Sequence, residues 1–119
     1  PDGSYTAPYE LVRSLTLFAA HAAGVAAIDT VFPNINDTNA LFSYVERAAR
    51  DGFTGMLAIH PSQVAYINAG LTPSPEQVEH AQAVVEAFTA NPGAGVLQLK
   101  GKMIDAPHLK AALSILARV

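Results

Sequence analysis

The chain has 119 residues, is 50% hydrophobic, and carries 7 Lys or Arg against 10 Asp or Glu, for a formal charge of −3. That size and apolar content suit one small folded domain and exclude a disordered chain. The absence of cysteine excludes disulfides and thiolate metal sites, the scattered Lys and Arg argue against nucleic-acid binding, and no run reaches the roughly 18 apolar residues of a membrane helix.

The opening "PDGSYTAPY" has turn chemistry and no initiator Met, as expected of a start inside a longer polypeptide. No signal peptide is visible, and a cytoplasmic location is expected. Residues 8 to 23 are predicted to be helical, with Leu11, Leu15, Phe18, Ala19 and Ala22 as the inner face and Gly24 as the stop. Arg13 and Arg50 then read as surface helix residues. "VAAIDTVF" is a buried strand, "NINDTN" a turn with a helix start at Asn36 or Asp37, and Leu41, Tyr44, Val45 and Ala48 the inner face of a second helix ended by Gly52. "GMLAI" is a second buried strand. Neither strand alternates polar with apolar residues, which predicts burial on both faces.

"PSQVAYINAG" reads as a short helix closed by Gly70. A longer helix follows, with Ser74 as N-cap, Pro75 at the first helical position, Gln77 completing a capping box, and Val78, Ala81, Val85 and Phe88 facing inward. "NPGAG" breaks it. "VLQLKGKMI" is extended with a turn near Gly101, and "DAPHLKAALSILARV" is a last helix capped by Asp105. Helix–Gly–strand thus occurs twice, as parallel α/β folds produce. Two parallel strands alone leave edges and a face uncovered, so this chain is expected to be part of a larger fold.

In this order and spacing, "AAIDTVF", "GFTGMLAIHPSQV" and "GKMIDAPHLKAA" resemble the C-terminal part of the citrate lyase beta-subunit-like CoA-ester lyases, which include malyl-CoA and citramalyl-CoA lyases. The resemblance implies a (β/α)₈ TIM barrel with an added C-terminal helical lid. Residues 1 to 70 would hold its last two strands and helices, and residues 71 to 119 the lid segment. It also implies a Mg²⁺-dependent enzyme that makes or breaks a carbon–carbon bond beside a CoA thioester carbonyl, taking acyl-CoA and 2-oxo acids, and assembled as a homotrimer or a multiple of it. Its metal ligands and substrate-gripping arginine would lie outside this segment.

Several residues are candidates for the site. Asp29 sits inside an apolar strand, where a charge demands a partner. Either it points into the barrel mouth toward substrate, or backbone N–H groups satisfy it. Ile59, His60 and Pro61 end the second strand, and the resemblance places them against the thioester end of CoA, partly through backbone atoms. The same residues suit a helix start, with Pro61 in the first turn. Asp105 is a good N-cap on local physics, whereas the resemblance makes it the acid/base group of a lid acting in trans. Lys100 and Lys102 suit CoA phosphates or plain solvation, and family members often carry an acidic residue where Lys100 stands. A non-catalytic α/β binding or assembly module remains the alternative.

Overall fold

A computed structural model describes residues 4–119; the first three residues of the turn-like opening lie outside the described residues. The chain divides into two compact units, Pro1–Leu71 and Thr72–Val119.

In the first unit the order is α1 (Ala7–Ala23), β1 (Ile28–Asp29), α2 (Thr38–Asp51), β2 (Gly55–Met56), a 3₁₀ turn (Pro61–Gln63) and α3 (Val64–Leu71). Asp37 caps α2 by accepting from the Ala40 N–H at 2.9 Å. Gly24 and Gly52 end α1 and α2 with φ of 69° and 113°, a backbone that glycine adopts without steric cost. β1 and β2 pair in parallel, with Ile28 opposite Gly55 and Asp29 opposite Met56. Bonds from the Thr54 N–H to the Ala27 carbonyl and from the Leu57 N–H to the Asp29 carbonyl extend the pairing. The strands are shorter than the predicted apolar runs, because regular pairing is confined to these residues.

Burial corrects two expectations. Within the first strand run, Ala27 and Asp29 are buried while Ile28 is 47% exposed, so the strand alternates where burial on both faces was expected. On α1, the predicted inner stripe of Leu11, Leu15 and Phe18 is exposed at 56–65%. The face that packs carries Arg13, Leu17 and Ala20. Leu17 and Ala20 join Ala27, Ala48 and Phe53 in one core, and Arg13 lies one turn earlier on the same side. The helical period holds, but the most apolar stripe is not the covered one. Leu41 and Val45 of α2 pack with Ile67 of α3 in a second core.

Gly70 does not stop α3, which runs on to Leu71. A Cβ added at Gly70 would lie 2.6 Å from Val45 Cγ1, so glycine is there to let two helices approach.

The second unit is α4 (Pro75–Ala90), β3 (Val96–Leu99), β4 (Lys102–Asp105) and α5 (Ala106–Leu116). α4 starts with the expected capping box between Ser74 and Gln77. β3 and β4 form an antiparallel hairpin with Leu99 opposite Lys102 and Val96 opposite Asp105. Its two-residue turn has φ of 49° at Lys100 and 79° at Gly101, the positive-φ pair that matches the twist of a tight hairpin. Ala81 and Val84 of α4 pack with Ile104 and Ala112. Of the expected inner face, Ala81 is in this core and Val85 and Phe88 pack against it, with Val84 buried as well. The two units together are a mixed α/β structure with no closed barrel among the described residues.

Candidate active site

The end of β1 and the segment after β2 carry the candidate site residues of the first unit. Asp29 is 1% exposed, and an unpaired carboxylate there would be very costly. Arg13 of α1 supplies the partner. Its Nε donates to both carboxylate oxygens at 3.0 and 2.9 Å, and its second terminal nitrogen donates to Oδ2 at 2.7 Å. The Thr30 N–H adds a bond to Oδ1 at 2.8 Å. Arg13 also donates to Asp51 at 2.7 Å and lies over the Phe53 ring at 4.5 Å. Burial works against its charge, but the bonds to Asp29 and Asp51 outweigh that and hold its pKa above the ordinary value. The expectation that Arg13 is a surface residue is therefore corrected: its side chain is 9% exposed. Asp51 also approaches Arg47, which pairs with Glu10.

Asp29, Arg13, Ile28 and Leu57 line a cleft of about 280 Å³ together with Tyr5 and Tyr9. The bonds to Arg13 and the Thr30 N–H occupy the Asp29 carboxylate within the protein. Sequence reasoning required a partner for Asp29 but missed which one. The available signal was the spacing of Arg13, Leu17 and Ala20 on one helical face.

In the segment after β2, which ends at Met56 rather than at the expected Ile59, Ile59, His60 and Pro61 are exposed. His60 is the N-cap of the 3₁₀ turn. Its Nδ1 accepts from the Ser62 N–H at 3.2 Å and lies 2.8 Å from the Ser62 hydroxyl. Gln63 was also missed. It is wholly buried, its amide nitrogen donates to the Phe32 carbonyl at 2.9 Å, and its amide oxygen accepts from the Ile59 N–H at 3.0 Å. One side chain thus joins the segment after β1 to the segment after β2. Its only sequence signal is its place in "IHPSQ".

In the second unit, Asp105 is both the last residue of β4 and the N-cap of α5. Its Oδ1 accepts from the His108 N–H at 3.4 Å and lies 2.6 Å from His108 Nδ1. The His108 side chain holds the Asp105 carboxyl below the ordinary carboxylate range against desolvation, and the His108 backbone N–H adds to it. No group of three or more His, Asp or Glu among the described residues is placed to hold a metal ion, and Asp29 is already committed to Arg13. The described residues therefore do not fit a Mg²⁺ site by themselves.

Parallel strands joined through a helix, with polar groups near the strand ends, define a β/α protein. A profile of the C-C bond lyase family of the TIM-barrel fold matches residues 11–119, and the chain belongs to that family. It is 37% identical over 105 residues to mitochondrial citramalyl-CoA lyase of Mus musculus, covering 87% of this chain and 31% of that protein. It is 34% identical over 120 residues to citrate lyase subunit beta of Leuconostoc mesenteroides subsp. cremoris, covering 98% of this chain and 38% of that protein. Among solved structures, the CitE protein of Mycobacterium tuberculosis in complex with magnesium, acetoacetate and coenzyme A superposes with a TM-score of 0.83 at 35% identity, covering 98% of this chain and 43% of that one. The chain thus spans less than half the length of each of these relatives.

Proposed function

We propose that this chain is the C-terminal portion of a Mg²⁺-dependent lyase that makes or breaks a carbon–carbon bond in a 3-hydroxyacyl-CoA thioester of the malyl-CoA, citramalyl-CoA or citryl-CoA type. The observation that carries the reading is the likeness, along nearly the whole chain, to a structure holding magnesium, acetoacetate and coenzyme A. The relatives named citramalyl-CoA lyase and citrate lyase subunit beta support it. Magnesium, when bound, supplies a fixed positive charge for the 2-oxo acid, and residues other than those described hold it.

Within this chain, Asp105 is the acid/base group. The α-carbon of the thioester must give up a proton as the new bond forms and regain it as the bond breaks. A carboxylate on a closing segment does both once water is excluded. Its support is the "GKMID" motif and a carboxyl kept ionised by His108. Ile59, His60 and Pro61 meet the thioester end of CoA, and Asp29, held by Arg13, shapes the mouth beside them. The lid acts on a neighbouring subunit, which requires an oligomer, and a cytoplasmic homotrimer is the form proposed.

The test uses the full-length protein with malyl-CoA, citramalyl-CoA and related thioesters, following release of the 2-oxo acid. Asp105→Asn retains the cap, because Asn caps a helix about as well as Asp. It is expected to lower turnover by at least about 100-fold, the usual scale of a positioned acid/base group, while magnesium affinity is retained. Full activity in Asp105→Asn would remove Asp105 from the role, and no turnover of any CoA thioester by the wild type would remove the activity.

A further inference from the structure

The segment after β2 is exposed at Leu57, Ile59, His60 and Pro61, yet it is anchored from beneath by a fully buried amide. A buried polar side chain is retained at a cost unless its bonds are made, and Gln63 makes one bond in each direction across the unit. It donates to the Phe32 carbonyl, in the segment after β1, and accepts from the Ile59 N–H, in the segment after β2. An amide is the side chain that serves both ends, because it carries a donor and an acceptor on one planar group. A carboxylate would lose the donor, and an apolar side chain would lose both. Because Gln63 closes the 3₁₀ turn and directly precedes α3, the helix holds the clasp rigid.

We infer that Gln63 is a positioning residue. Its amide fixes the Ile59–His60–Pro61 backbone after β2 in the conformation that receives the acyl-CoA thioester, and ties it to the segment after β1. This inference rests on the reading of the Ile59–His60–Pro61 backbone as the thioester-facing segment. Gln63 touches no substrate itself, and it acts through the Ile59 N–H, whose direction it sets. Loss of the clasp therefore weakens thioester binding and leaves the proton transfer at Asp105 unchanged.

The test combines amide hydrogen exchange with steady-state kinetics on the full-length protein. In the wild type, the Ile59 amide is expected to exchange far more slowly than a free peptide although its residue is exposed. Exchange at the free-peptide rate would overturn the clasp whatever the variants do. Gln63→Met keeps the length and removes both bonds. It is expected to speed Ile59 exchange and to raise KM for the CoA thioester by about tenfold, the usual worth of one lost hydrogen bond, with kcat within about twofold. A lowered melting temperature with KM unchanged would make Gln63 a structural residue only and refute the positioning role. Should Gln63→Met fail to fold, Gln63→Glu tests the other end: it keeps the acceptor for Ile59 and loses the donor to Phe32, and is expected to raise KM as well. An unchanged KM there refutes the tie to β1. Absence of wild-type turnover would count against the lyase reading alone, since the exchange experiment still reports on the clasp.

Discussion

Arg13→Met removes the guanidinium from the only buried carboxylate among the described residues and keeps a side chain of similar length. Asp29 is 1% exposed and would retain the Thr30 N–H at 2.8 Å, with the three bonds from Arg13 gone. Removing one partner of a buried pair typically costs about 3–5 kcal/mol, because the remaining charge is left uncompensated. The stacking of Arg13 on Phe53 is lost as well. Asp29→Asn is gentler. Arg13 keeps its bond to Asp51 at 2.7 Å, and the Asn carbonyl still accepts, so about 1–3 kcal/mol is expected. A double variant, Arg13→Met with Asp29→Leu, leaves neither charge behind and is expected to recover most of the loss of Arg13→Met, since apolar replacement of a whole buried pair is often near neutral. Denaturant midpoints followed by circular dichroism at constant m-value measure all three, and the non-additivity gives the coupling. A loss below about 1 kcal/mol in Arg13→Met, or a double variant no better than the single one, would refute the claim that Arg13 is what keeps Asp29 in the interior.

Gly70→Ala places a Cβ 2.6 Å from Val45 Cγ1 and 3.0 Å from its Cβ; overpacking of a rigid core site is expected to cost about 1–3 kcal/mol, measured by thermal melting, with part of the loss recovered on adding Val45→Ala. Gly55→Ala clashes only with the Cδ1 of the exposed Ile28 side chain, at 2.5 Å, which can swing away, so a markedly smaller loss is expected; equal losses would contradict the packing explanation. His108→Leu removes the side-chain bond that chiefly holds the Asp105 carboxyl low. The folded-state pKa lies below the unfolded one, so the ionised form and its share of stability are present above the unfolded value and are lost as pH falls through the folded pKa. The variant is expected to move that loss, and the acid limb of kcat/KM under the proposed role, to higher pH. An acid limb that stays in place would separate Asp105 from the profile.

Much of the fold was legible because its signals are local. Asp37, Ser74 and Asp105 announce helix starts through their capping chemistry, Gly24 and Gly52 announce stops, and the Lys100–Gly101 turn follows from a polar pair between two apolar runs. What was not legible depends on what lies across the chain. Nothing within α1 says whether Leu11, Leu15 and Phe18 or Arg13, Leu17 and Ala20 meet the strand, since both sets share the helical period. The choice is made by Asp29, sixteen positions on, whose buried charge requires the face bearing Arg13. Gly70 shows the same limit: a helix stop and a close helix approach both call for glycine, and only the position of Val45 distinguishes them. Gln63 was invisible for the related reason that its partners are backbone groups, which leave no residue-type signal.

At Asp105, local physics and family resemblance gave answers that look exclusive, a helix cap or an acid/base group. The geometry removes the conflict. The bond from the His108 N–H and the close contact with His108 Nδ1 both use Oδ1. One oxygen therefore starts the helix while the other takes no part in the capping box. Capping also keeps the group ionised, because hydrogen bonds to a carboxylate favour its charged form. Under the proposed role, a base must be ionised before it can take the thioester's proton. The bonds that begin α5 thus favour the ionised form, and they fix the carboxylate's direction on the element that carries it. Loss of the cap and loss of the base should then be separable: Asp105→Asn keeps the first without the second, and His108→Leu weakens the first while moving the pH at which the second is available.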